Sequence, residues 1–504
     1  MKWRQIQTEN FQVIFPSEFE QKARQLSRQL DRLMARVNAD LNAPRRMTPL
    51  ILQNQSVVSN GFVQLAPRRT EFITTPPAQG ENMDWLTHLT IHELRHIGQF
   101  DQLVGRFKAP FWEQLGLALF GLHLPIWFYE GDAVYKESEL TSGGRGRMPS
   151  WLMSYRWSVL NDRNYSYQKE FLGSYRDLTP GPYELGYLMV QKMYSDLGPE
   201  VVNRLLSDVS KRLLRPYSFS RALKKESGMN TRAWHAATLE DLREKWSSWP
   251  LEPIGLSDYA DFSELPLAES KFPSDWLFPQ WGEDGSLYVL RQGRAFVPEI
   301  IRYAAGKKST ILQLGWQKES HYSYAAGRIV WDELRSHPRY SKQNFSVIHV
   351  HDVERGRSRQ LTRGTRLFTP ALSPDGGRIA AIQVEVNQQA SIVILDAENG
   401  QERGAYPAPD GWMLQTPSFH PKSDKLLAVG ISAQGSALVE LSGGVYRRLT
   451  PWMDQQLERP IYYAEDVIFK AHLQGRDNIY LLRNGEVQAL TQAQYGAFHP
   501  AIKP

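Results

Sequence analysis

The sequence predicts a multidomain chain: an α+β domain built around a metal-holding helix, followed by an all-β array of repeats. Three observations predict it. The run His92-Glu93-Leu94-Arg95-His96 has the spacing H-E-x-x-H. After residue 270 a short phrase returns every ~45 residues, the length of one four-stranded propeller blade. Between the two textures lies a Pro-rich, polar stretch, residues 251–270, that reads as a linker. The expected domains are therefore 1–250 and 271–504.

Composition bounds the function. The chain has 504 residues, enough for more than one domain. Hydrophobic residues make up 41% and charged residues 22%, the balance of a globular protein with sizeable cores. The net charge is +5 and the Lys and Arg are scattered, so no nucleic-acid face is expected. No charge-free apolar run is long enough to span a membrane. The absence of cysteine excludes disulfides, thiolate nucleophiles and cysteine-held metals.

The elements follow from periodicity. The opening residues, Phe11–Phe15 and Thr48–Gln53 alternate as strands. Residues from Phe19 to about Leu41 form an amphipathic helix pattern. In Ser59–Thr75, the half Thr70–Thr74 alternates like an edge strand, able to pair with an extended peptide. Helices are expected at 83–101, 125–139, 149–160 and 183–196, with more between residues 203 and 248.

The H-E-x-x-H run carries the chemistry. Residues four apart share a helix face, so His92 and His96 can reach one metal ion. Glu93 stands beside them and can accept a proton from water. Leu86, Leu89, Leu94 and Ile97 make the helix a buried one. Zinc in such a site takes a third protein ligand and leaves one position open. Glu130 is the best candidate, on a second apolar helix started by Pro125; His123 is the alternative. His88, one turn before His92, reads as a neighbouring or core histidine. Asp132 is a candidate to orient a ligand histidine, and Arg145 or Arg147 to hold a carboxylate in a basic turn.

At this point the chain resembles a known clan. H-E-x-x-H followed at a distance by Glu130-Gly131-Asp132-Ala133 is similar to the gluzincin zinc peptidases, most of all the aminopeptidase-N-like branch. Tyr129 stands where that branch has Asn, and His96 and Glu130 lie further apart than is usual there. The extra residues form an apolar insertion, Val104–Leu124. A metzincin site would need a histidine six residues after His96 and a glycine three before that; Gln102 and Gln99 stand there. Tyr183-Glu184-Leu185-Gly186 resembles the clan's catalytic-tyrosine segment, which implies that Tyr183 steadies an oxyanion, with Tyr187 as its competitor. The branch's amine-gripping Gly-x-Met-Glu-Asn strand is absent, and Glu71 is a weak substitute for it.

The repeat phrases also carry a resemblance. Phe278-Pro279-Gln280-Trp281, Thr369-Pro370-Ala371-Leu372, Thr416-Pro417-Ser418-Phe419 and Arg459-Pro460-Ile461-Tyr462 open units, and Ser323-Tyr324-Ala325-Ala326-Gly327 opens the one between the first two. Ser373-Pro374-Asp375-Gly376 matches the phrase of TolB-like propeller repeats. Gln494–Pro504 reads as the start of another unit. Six blades are expected, with five as the alternative. The TolB-like resemblance implies a bacterial periplasmic or cell-surface protein whose targeting segment has been removed.

Together these readings predict a zinc metallopeptidase that cuts within peptide or unfolded-protein chains. His92, His96 and Glu130 hold Zn2+, Glu93 is the general base and Tyr183 stabilises the oxyanion. The propeller restricts access or binds a protein partner. The alternative is a non-catalytic binding or assembly protein that keeps the metallopeptidase fold.

Overall fold

The computed structural model describes residues 2–65, 67–105, 124–212, 215–249 and 271–503. The predicted linker 251–270, the alternative ligand His123 and most of the apolar insertion lie outside the described residues.

The N-terminal unit begins with a five-stranded sheet of order β1-β2-β3-β5-β4. Its strands are β1 (Trp3–Gln7), β2 (Phe11–Pro16), β3 (Thr48–Gln53), β4 (Asn60–Leu65) and β5 (Arg68–Ile73). The β2–β3 and β3–β5 pairs are parallel, and β4 runs antiparallel to β5. The expected edge strand is thereby corrected. Thr70–Ile73 lies on β5, which is paired on both sides, and the edges of the sheet are β1 and β4. Glu71 is buried and binds Lys342 of the second domain, so it is no amine reader either.

Helix α1 (Glu20–Val37) buries Ala23, Leu26, Leu30, Met34 and Val37, the i, i+3, i+4 stripe that its sequence displays. That stripe and the inner sheet face enclose α2 (Trp85–Val104) in one apolar cluster. Asp84 caps α2, accepting from the Thr87 N–H at 2.9 Å. A second core joins α2 to α3 (Ile126–Leu140), α6 (Pro182–Leu197), α7 (Val201–Ser210) and α8 (Ser218–Ser227). Helices α4 (Pro149–Leu160), α5 (Tyr167–Leu172) and α9 (Thr231–Ser247) complete the unit.

Residues 275–489 form five four-stranded antiparallel sheets, β6–β9, β10–β13, β14–β17, β18–β21 and β22–β25. Apolar clusters lie between successive sheets, as in a propeller. Five blades replace the expected six among the described residues. The sixth phrase builds no four-stranded sheet there. Instead it fills the space between the last sheet and the first. Ala497 N–H donates to the carbonyl of Asp477, just before strand Asn478–Arg483 of the fifth sheet, and the His499 ring packs 4.3 Å from Phe278 on the first.

The repeat phrase has a shared backbone device. Phe278, Thr369, Thr416, Arg459 and His499 each precede a proline and each has φ between +45° and +56°. In the four blades that carry the phrase, the innermost strand shifts register at that point. Left-handed backbone is costly for non-glycine residues, so a repeated occurrence marks a bulge that the surroundings enforce.

The propeller seats on the loops after β3 and β5. Asn344 Oδ1 accepts from the Val57 N–H at 2.6 Å, and Val57 joins an interblade core. Gln456 donates to the Gly80 carbonyl at 2.6 Å, and Asn82 donates to the Asp454 carbonyl at 2.8 Å.

Candidate metal centre

A buried His-His-Glu cluster that could chelate a metal lies where α2 meets α3. His92 Nε2 and His96 Nε2 are 3.2 Å apart, and each is 3.3 Å from Glu130 Oε2. The near-equilateral triangle matches the edge of roughly 3.3 Å expected for a tetrahedron of ~2.0 Å radius, the dimension of a zinc site. Helical spacing puts the two imidazoles one turn apart on α2; the second helix supplies the carboxylate.

The hydrogen bonds behind the ligands decide what faces the triangle. His92 Nδ1 is 3.0 Å from Glu137 Oε2 and 2.9 Å from Arg145 Nη2; in the tautomer whose Nδ1–H donates to the carboxylate, Nε2 is left with a lone pair. Arg145 fixes Glu137, donating from Nε at 2.8 Å and from Nη2 at 3.0 Å. His96 Nδ1 donates to Gln99 Oε1 at 2.9 Å. Gln99 cannot turn its amide round, because its Nε2 donates to Asp132 Oδ2 at 2.6 Å and to the Tyr129 carbonyl at 3.2 Å. Asp132 in turn holds Arg95, which is fully buried and also paired with Asp40.

In that tautomer three lone-pair atoms converge without a donor between them, and Glu130 Oε2 is a buried oxygen with no hydrogen-bond partner. Such an arrangement repels itself unless a cation occupies it. Burial disfavours a charged His96, yet Glu130 pulls its pKa up to about 9. The site thus attracts a proton or a metal ion. Residues and geometry fit the metal.

Glu93 is buried beside the triangle, and its Oε2 has no partner. Burial raises its carboxyl above the usual range, and His92 and His96 oppose that rise. The free edge strand β4 passes close by: a Cβ built on Gly61 would lie 3.0 Å from Glu93 Oε1. Gly61 thus lets a backbone edge approach the general-base candidate.

The structure brings Tyr183 to the same place. Its ring lies 6.3 Å from the His92 ring and 4.9 Å from the Arg145 guanidinium. Burial, with Glu130 nearby, raises its phenol to about 12, so it stays a donor at neutral pH. Tyr187 goes elsewhere: it packs on Trp151 and its hydroxyl meets Gly146 and Gln191.

The other candidates divide. Asp132 reaches His96 only through Gln99. Arg145 holds Glu137 and not Asp132, while Arg147 donates to the Ser138 carbonyl at 2.8 Å. His88 bridges Glu81 and Glu137, 3.2 Å from each. Glu137 and Gln99 were not assigned a role by sequence. Glu137 lies two turns after Glu130 on one helix face, and that i+7 relation was the signal available.

No protein-family model matches the chain, and no curated protein matches it. Among solved structures, TolB from Acinetobacter baumannii is 16% identical with a TM-score of 0.38, over 46% of this chain and 58% of that one. A putative TolB from Agrobacterium tumefaciens is 16% identical with a TM-score of 0.35, over 43% and 81%. Pyrococcus horikoshii acylaminoacyl peptidase is 9% identical with a TM-score of 0.31, over 44% and 46%. The chain thus spans just over half the length of the Acinetobacter TolB. The propeller here is read from its own strand order. Among the described residues, no helix is long and apolar enough to cross a membrane.

Proposed function

We propose that the protein is a zinc-dependent peptidase with His92, His96 and Glu130 as its metal ligands. The observation that carries the reading is the convergence of three bare ligand atoms at 3.2–3.3 Å beside an unpartnered Glu93. Two neutral histidines and one carboxylate suit zinc and leave one unit of positive charge. When bound, the ion supplies Lewis acidity toward water and a peptide carbonyl.

The chain's residues do the rest. Glu93 takes a proton from the attacking water and passes it to the leaving nitrogen. Its raised pKa suits the second transfer, and the flanking histidines favour the ionised form needed for the first. Tyr183 donates its hydroxyl to the oxygen that gains charge at the scissile carbon. Glu137, held by Arg145, keeps His92 in the tautomer that presents Nε2. Strand β4 offers an unpaired backbone edge for an extended substrate, which favours peptide or unfolded chains over folded ones. Cleavage within chains follows from this edge and from the missing amine-gripping motif. The TolB-like phrase of the repeats supports a periplasmic or cell-surface location for the activity.

One experiment tests the reading. The zinc-loaded protein is incubated with a diverse peptide library, each member with a free or an acetylated amino end. Cleavage of both forms at internal bonds is expected. Silence across the library with zinc bound would favour the non-catalytic binding alternative, and a hundredfold loss on acetylation would make the enzyme an aminopeptidase.

A further inference from the structure

The propeller axis carries a second polar site, built from residues separate from the His92 cluster. The innermost strands and the segment around His499 line an axial channel of about 290 Å³. These strands start against the N-terminal domain and run away from it. Gln415 and Arg459 reach Pro77 and Gln79, whereas Trp281 and Phe419 end their strands. The channel therefore opens on the face turned from the N-terminal domain, and the loop around Pro77–Gly80 closes its other end.

Arg459 sits at the closed end. Its guanidinium stacks 3.5 Å over the Phe278 ring, donates to Gln79 Oε1 at 2.7 Å and lies 3.3 Å from His321 Nδ1. No carboxylate pairs with it among the described residues; its sequence neighbour Glu458 is engaged by Lys470 at 3.4 Å. The nearby imidazoles add no charge, since burial, reinforced by Arg459, pushes His321 down to about 3 and His499 to about 2. Burial lowers Arg459 itself to about 9, which leaves it charged at neutral pH. A guanidinium has five N–H donors, and Gln79 and His321 take two. The backbone holds the group in place: Arg459 has φ +49°, at the enforced bulge before Pro460.

Glu458 acts on Arg459 only through space, and a desolvated cation with no carboxylate in contact is costly unless a ligand supplies one. The walls above it mix apolar and polar groups, Trp281, Pro417, Phe419 and Pro500 beside Gln280 and Ser418. Prolines bring no N–H groups, and Gln280 and Ser418 already donate to the Tyr322 and Pro460 carbonyls, so the walls offer an extended chain mainly contact area. We propose that this channel binds a carboxylate-bearing ligand, the free carboxyl end of a peptide, with Arg459 as the anchor.

The test uses the full chain carrying Glu93→Gln, so that the probe survives. The probe is an amino-terminally fluorescein-labelled tetrapeptide with a free carboxyl end, read by fluorescence anisotropy, beside its carboxamide. The free acid is expected to bind at least tenfold more tightly than the amide. Arg459→Gln should abolish that difference and Arg459→Lys should retain part of it. Phe419→Asp, at the channel mouth, should weaken binding of the acid without touching the buried floor. His92→Ala should leave binding unchanged, which separates this site from the metal centre. Succinate that displaces the probe would identify any small carboxylate as sufficient, and failure to displace would assign the site to peptide ends. Equal binding of acid and amide, or an unaltered affinity in both Arg459→Gln and Phe419→Asp, overturns the proposal.

Discussion

Gly131 and Gly186 meet backbone to backbone where α3 crosses α6. A Cβ on Gly131 would overlap the Gly186 backbone, and a Cβ on Gly186 would overlap the Trp127 carbonyl oxygen. This approach sets Glu130, one residue before Gly131, on the side where Tyr183 stands, three residues before Gly186. The two glycines thus fix the distance between a metal-ligand candidate and the oxyanion candidate.

Gly186→Ala should therefore damage stability and site together. Rigid backbone faces the new methyl group, so the helices must separate; overpacking of this kind typically costs ~1–3 kcal/mol. Thermal unfolding should show a lowered midpoint, and zinc titration a weakened affinity. An unchanged midpoint would mean that the helices have slack at the crossing.

Purified protein should hold about one zinc ion per chain by metal analysis. His92→Ala and Glu130→Ala should each lose it. Full zinc retention in either variant removes that residue from the ligand set.

Glu93→Gln should keep zinc and fold yet stop hydrolysis, since the amide cannot take the proton. Tyr183→Phe should lower kcat with little change in KM. Loss of one such donor typically costs ~3 kcal/mol, about a hundredfold in rate. Tyr187→Phe should stay near wild type, because its hydroxyl faces Gly146 and Gln191. The reverse pattern would transfer the role to Tyr187.

Glu137→Gln should weaken zinc binding by roughly 10–100-fold, the usual effect of losing a carboxylate behind a ligand histidine. The variant keeps one oxygen for Arg145 and His88 but loses the negative charge and the second oxygen that faces His92. Competition with a chromogenic chelator measures the change, and an affinity equal to wild type would show that His92 needs no such partner.

In the second blade, burial raises the Asp332 carboxyl to about 7, and its Oδ1 has no partner. A carboxyl in the unfolded chain ionises near ~4, so the unfolded state loses its proton first. Stability from this group is complete below about pH 4 and declines as pH rises toward about 7. Asp332→Asn should therefore gain on wild type between about pH 5 and pH 8. Melting curves at both values check it; a gap that does not widen with pH refutes the account.

Much of the N-terminal unit was legible because its patterns are local. The i, i+4 histidines and the apolar stripe of α1 are consequences of helical periodicity. The helices expected at 149–160 and 183–196 start in the fold at Pro149 and Pro182. The repeat phrase showed blades for the same reason, since turn chemistry and alternation are written within a few residues. Blade number was less legible, because the residues around His499 carry the phrase and its left-handed backbone while serving as a wedge between two sheets.

Sequence alone determined the helix with His92, Glu93 and His96 on neighbouring positions, the carboxylate Glu130 on a second helix, and the change to repeated strands. Tertiary structure alone decided that β4 is the edge strand beside Glu93, that Glu137 and Gln99 stand behind the two imidazoles, that Tyr183 and not Tyr187 lies beside His92, and that Arg459 closes the channel floor with no carboxylate in contact among the described residues. The reason is physical. Periodicity specifies which face of an element is apolar, but a hydrogen-bond partner is set by how two elements cross. That crossing depends on contacts such as Gly131 on Gly186, between residues far apart in the chain.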